Sequence, residues 1–248
     1  AGVITTSDVN GRKTAVITLN ESVLEQRVNH EGVHAVIAVY APVESEVVVS
    51  ELTGRIIKQM EAREAVVELY TDRASYKIPA PLFNIDEIAN RFGTDVSLHD
   101  IKVQMEILTP SEEEIRFVED GANRQGIALI VPPVSFSIRA VHEGQTLEIS
   151  TFRAFVERLV AIPDDVDPSL ITTGVYIGPD GAIHHVPTRI VVVDGKPYAR
   201  ISSLTNSMYT VIRHQATFPD IGGHWAADII GHLGDRLVLS GYEDGSFR

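Results

Sequence analysis

His30, Glu31 and His34 spell the pattern H-E-x-x-H, in which two imidazoles one helical turn apart hold a zinc ion and the carboxylate polarises the attacking water. That chemistry requires a helix, because only there do residues i and i+4 share a face. Gly32 stands inside the pattern, and the β-branched run Val33 to Ala41 (VHAVIAVYA) begins within it. The segment therefore predicts a polar turn, Asn29 to Gly32, that enters a buried, central strand stopped by Pro42. No downstream residue offers itself as the third ligand, so no zinc peptidase is expected.

Other chemistry-bearing residues read the same way. His184 and His185 follow the turn Pro179-Asp180-Gly181, where strand neighbours point to opposite faces and cannot share one ion. Asp164, Asp165 and Asp167 could offer oxygens to calcium, but their spacing is not that of an EF-hand loop, and the flanking Pro163 and Pro168 predict a solvated turn. The nucleophile patterns G-x-S-x-G and S-x-x-K with partners are missing, as is the phosphate loop G-x-x-x-x-G-K. Paired glycosidase carboxylates leave no local signature. A single Trp and 6% aromatic residues give a sugar-stacking catalytic cleft no support. No catalytic residue, metal or cofactor is assigned.

The elements that would carry these residues follow from periodicity. Ser50 to Arg63 places Leu52, Ile56, Ile57 and Met60 at helical spacing. Ala65 to Thr71 and Ser75 to Ile78 alternate about Asp72-Arg73 as a hairpin, and a helix from Ile85 to Phe92 closes at Gly93. Asp100 to Leu108 alternates as a strand. Thr109-Pro110-Ser111 with Glu112, Glu113 and Glu114 opens a helix, the carboxylates facing the positive end of its dipole. From Gly126 to Thr217 nearly everything reads as strands, with turns at Glu143-Gly144, Pro179-Asp180-Gly181 and Asp194-Gly195. The class is α+β, a mainly antiparallel β body with a few helices, divided as an α+β part (1–142) and a β-rich module (143–217).

The net charge of -13 excludes a nucleic-acid partner, whose phosphates need clustered Lys and Arg. With no cysteine, the 248 residues hold neither disulfide nor thiolate metal site. The longest apolar stretch, Ile127 to Val134, is broken by Pro132 and Pro133 and is too short to span a bilayer. The sequence opens on Ala1-Gly2 without the basic and apolar regions of a signal peptide, which is expected to have been removed or to lie outside it.

Residues 218 to 248 carry a joint pattern: Phe218-Pro219-Asp220-Ile221, His224-Trp225-Ala226, an amphipathic stretch with Ile229, Ile230 and Leu233, then Ser240-Gly241-Tyr242-Glu243-Asp244-Gly245-Ser246-Phe247. It resembles the first half of an S-layer homology repeat, the module that fastens bacterial surface proteins to the cell wall. The upstream region resembles the non-repeat ectodomain of such proteins in Gram-positive bacteria. The resemblance implies a truncated helical repeat after the β-rich ectodomain, with Asp220, His224, Trp225, Gly241, Tyr242, Asp244 and Gly245 as its motif residues. Trp225 is expected in a small core, and Gly241 and Gly245 in tight turns. Leu237-Val238 stands where the family usually has Gly-Ile, and the family's groove arginine would follow residue 248.

The function so implied is that of a non-catalytic, extracellular cell-surface protein associated with the S-layer. Its partner would be secondary cell-wall polysaccharide, bound through complete repeats, with self-association as a second mode. The alternative is a polysaccharide hydrolase or an accessory module of a wall-anchored enzyme. Half a repeat has too little core of its own, so its apolar residues are expected to pack on the ectodomain or on a neighbour, or to fray.

Overall fold

A computed structural model describes residues 2–41 and 45–247; the strand stop expected at Pro42 lies outside them. In chain order the elements are β1 (Gly2–Val9), β2 (Arg12–Leu19), α1 (Glu21–Glu31), β3 (Val36–Tyr40), β4 (Val47–Thr53), α2 (Gly54–Glu61), β5 (Val66–Tyr70), β6 (Ala74–Pro79), α3 (Ile85–Phe92), β7 (Lys102–Leu108), α4 (Glu112–Asn123), β8 (Ala128–Leu129), β9 (Val134–His142), β10 (Gln145–Glu148), β11 (Thr151–Ala161), β12 (Thr173–Ile177), β13 (Ile183–Val186), β14 (Thr188–Val193), β15 (Lys196–Thr205), β16 (Met208–Arg213) and α5 (Ala227–Asp235). The class is α+β with strands predominant. Among the described residues no helix is long and apolar enough to cross a membrane.

Contacts cluster into two units that interleave along the chain, one of Ala1–Thr109, Val134–Val160 and Ser202–Ser207, the other of Pro110–Pro133, Ala161–Ile201 and Met208–Arg248. In the first unit β1, β2, β4, β7 and β9 run side by side with β10 paired to β9, and β11, β6, β5 and β3 form a second row. Its ladders are antiparallel except β2–β4 and β3–β5. Tyr76 of β6 meets Phe136 of β9 edge-on, their centroids 5.2 Å apart, so both rows face one interior. Ile56, Ile57 and Met60 of α2 are fully buried, each such side chain contributing about 1.5–3 kcal/mol.

Several expectations change here. The helix read over 50–63 begins only at Gly54, because Val47–Thr53 is a strand whose Ser50 and Leu52 pair with Met105 and Val103. Thr53 closes that strand and caps α2, its hydroxyl accepting the Ile56 N–H at 3.4 Å. Asn29, His30 and Glu31 are not a turn but the last residues of α1, which Asn20 caps through the Val23 N–H and Gly32 ends. Only Leu24 and Val28 of α1 are buried, too narrow a stripe for periodicity to reveal. β3 begins at Val36 and lies at the outer edge of its row rather than at its centre.

In the second unit β16 lies between β12 and β8, β13 pairs with β12, and β14–β15 is a hairpin, all antiparallel. Ser111 and Glu114 start α4 with reciprocal side-chain-to-backbone bonds, the capping box. Ala122, Ile127, Val175 and Ile212 form a buried cluster against which Leu129, Ile183 and Leu237 pack. The hairpin residues Asp194 and Gly195 have φ of 49° and 80°, as do Glu143 and Gly144 at 46° and 80°, the doubly left-handed geometry that matches the strand twist.

Candidate functional site

The C-terminal motif residues fold onto one another within the second unit. Asp220, before the helix, uses Oδ1 to accept the Phe247 N–H at 2.8 Å, tying the first and last parts of the pattern together. The rings of Phe218 and Phe247 meet edge-on at 5.5 Å. Asp244 accepts the Ser246 N–H at 3.0 Å, the Tyr242 N–H reaches the Ser246 carbonyl at 2.8 Å, and Gly245 turns the chain at φ 79°. Gly241 is required by proximity, since a Cβ there would lie 2.9 Å from the Ser246 carbonyl and 3.1 Å from the Phe218 ring.

Within α5 the inward stripe is Ala226, Ile230 and Gly234, at spacing i, i+4, i+8. Trp225 is not in it. The indole is 86% exposed, Ile229 one turn on is 58% exposed, and the ring tilts against His224 at 5.6 Å. The small core expected around Trp225 forms without it: Phe218 meets Phe247, and Gly234 and Gly241 let the Phe218 ring approach closely.

The far end of α5 is the docked end. The Leu237 N–H bonds the Gly234 carbonyl and the Val238 N–H bonds the Leu233 carbonyl, the double closure of a Schellman cap, with Leu237 left-handed at φ 59°. A branched side chain there costs about 1–2 kcal/mol relative to glycine, and Leu237 offsets this by packing on the Ala122, Ile127, Val175, Ile212 cluster. A leucine at this left-handed position is thus explained by its packing. His214 Nδ1 lies 3.2 Å from the Asp235 carbonyl, and the Asp235 carboxylate accepts the Ala216 N–H at 2.7 Å. His185 Nδ1 lies 2.9 Å from the Thr173 hydroxyl, while the backbone of Arg236 hydrogen-bonds the imidazole. Burial holds His185 below its ordinary pKa and the Arg236 guanidinium adds to this, the backbone bond acting in the opposite sense. His214, Asp235 and Arg236 escaped sequence reading because their partners are carbonyls and amides brought near by the fold.

The remaining candidates do not assemble. His30 ends a helix and His34, left-handed at φ 66°, sits 3.5 Å from Glu64, so the imidazoles do not share a helical face. His184 stacks on Tyr176 at 4.8 Å. Asp167 caps a short turn through the Ser169 N–H, a bond that lowers its pKa. Among the described residues no three His, Asp or Glu side chains cluster as metal ligands. No protein-family model, curated protein or solved structure matches this chain.

Proposed function

We propose that this chain is a non-catalytic bacterial surface protein, displayed outside the cell, whose residues 218–247 belong to a wall-anchoring module of the S-layer homology type. One observation supports this most: residues from both ends of the motif, Phe218, Asp220, Gly241 and Phe247, pack against one another, as a repeat unit requires. The exposed pair Trp225 and Ile229 supports it further, since a repeat needs an apolar face for the next repeat or for a polymer. The partner on this reading is secondary cell-wall polysaccharide, engaged by complete repeats, with self-association of the displayed protein as a second contact.

The test is retention of the full-length protein on purified Gram-positive walls, with and without residues 218–247. Release of the protein on deletion is expected. Equal retention of both forms, or of neither, would falsify the anchoring role.

A further inference from the structure

The first unit contains a cleft of about 430 Å³ between the start of α3 and the β10–β11 connection, within the range of small-ligand sites. One wall presents Asn84, Glu87 and Arg91, and the facing wall presents Glu148, Ser150, Thr151 and Arg153. Arg153 crosses the cleft to Glu87 at 3.3 Å, and Asn84 donates to the same carboxylate. Below lie Phe83 and Phe152, 2% and 7% exposed.

The facing wall is fixed from behind. The Ile149 N–H bonds the Ile138 carbonyl at 2.9 Å, the Asn206 N–H bonds the Ser150 carbonyl at 2.8 Å, and Asn206 Nδ2 donates to the Ile149 carbonyl at 2.6 Å. Asn206 is held in turn by Tyr76 and by Arg158, both fully buried, the guanidinium standing 4.9 Å from the Tyr76 centroid. A connection between strands is ordinarily a mobile place. Here it is immobilised, so a ligand meeting it loses little further freedom.

The chemistry of the lining selects the ligand. Two carboxylates and two guanidiniums sum to zero charge, which disfavours an anion or a cation as a whole. Carboxylates only accept hydrogen bonds and guanidiniums only donate them; a vicinal pair of hydroxyls does both, so one face of a sugar can satisfy both kinds of group. Leu82, partly exposed, offers apolar surface to the ring's C–H face. A peptide would instead seek a free strand edge or a deep side-chain pocket, and the aromatic rings here are covered. We propose that this cleft is a binding site for a neutral saccharide of one or two rings, independent of the wall-anchoring module.

Backbone NMR titration of the whole chain tests this, with cellobiose, maltose and di-N-acetylchitobiose as neutral probes and galacturonate, glucosamine and a capped tripeptide as controls. At least one neutral disaccharide at about 10 mM should shift signals confined to residues 82–91 and 148–153. Arg91→Ala and Glu148→Gln, both exposed positions where folding is not at stake, should each weaken that binding about tenfold, and Trp225→Ala should leave it unchanged. Absence of shifts with every neutral probe, tighter binding of a control, or unaltered binding by both cleft variants overturns the proposal; none of these bears on wall retention.

Discussion

Replacing Asn206 by Ala should be among the most damaging single changes in the first unit, although the residue is polar and only half-buried. The side chain serves three partners at once: it accepts from Tyr76 and, at 3.0 Å, from Arg158, and it donates to the Ile149 carbonyl at 2.6 Å. Truncation takes one partner from each, and a buried polar group so deprived costs about 1–3 kcal/mol. Arg158 keeps the Thr205 carbonyl at 2.7 Å and its place against Tyr76 and Phe136, which puts its share at the low end. The expected loss is about 3–5 kcal/mol, a large fraction of the 5–15 kcal/mol typical of a domain. Urea denaturation of the parent, Asn206→Ala, Tyr76→Phe and the double variant measures it, with a coupling of about 1–2 kcal/mol expected between the two positions. A loss below about 1 kcal/mol, or strictly additive effects, would show that the network behind the β10–β11 connection does not act as a unit.

Trp225→Ala should change stability by no more than about 0.5 kcal/mol, given the 86% exposure; since it is the only Trp, a blue-shifted emission resistant to acrylamide would contradict the placement directly. Gly174→Ala should destabilise by several times that amount, about 2–4 kcal/mol, because a Cβ there collides with the Thr188 hydroxyl that accepts the Gly174 N–H; thermal melts decide it, and a neutral result is the contrary outcome. The imidazole of His185 is held below its ordinary value of 6.5 by burial, so the unfolded chain takes up the proton first. The stability this group contributes is therefore full above 6.5 and falls as the pH drops from there through the lowered folded value. His185→Gln should flatten that limb of the pH–stability curve, and an unchanged limb would assign the dependence to other groups.

How much of this was legible beforehand depends on whether a signal was local. The α3 and α4 helices, the β5–β6 hairpin and the turns at Glu143-Gly144 and Asp194-Gly195 follow from caps, alternation and left-handed turn residues, all of which act within a few positions. The α1 helix escaped because two buried residues do not make a stripe, and β4 because Leu52 lies in phase with the helix that follows it. Edge or centre, the issue for β3, is a property of the neighbours in its row. A division into consecutive segments follows composition, whereas the two observed units follow strands that return from distant parts of the chain. In the C-terminal motif Gly245 turns the chain at positive φ, Gly241 is required by its closeness to Ser246 and Phe218 rather than by a turn, and Trp225 faces outward while Phe218 and Phe247 meet each other.

The left-handed Leu237 also ties the C-terminal segment to distant parts of the chain. Until α4, β12 and β16 have come together there is no cluster of Ala122, Ile127, Val175 and Ile212 to receive its side chain, and without that reception the strained cap has no compensation. Residues 218–247 follow all of those positions in the chain. Their cap is therefore compensated only by a seat that α4, β12 and β16 build together. A peptide of these residues alone would spend its time frayed, and damage to the seat far upstream would first be felt as the loosening of a module that it does not touch in sequence.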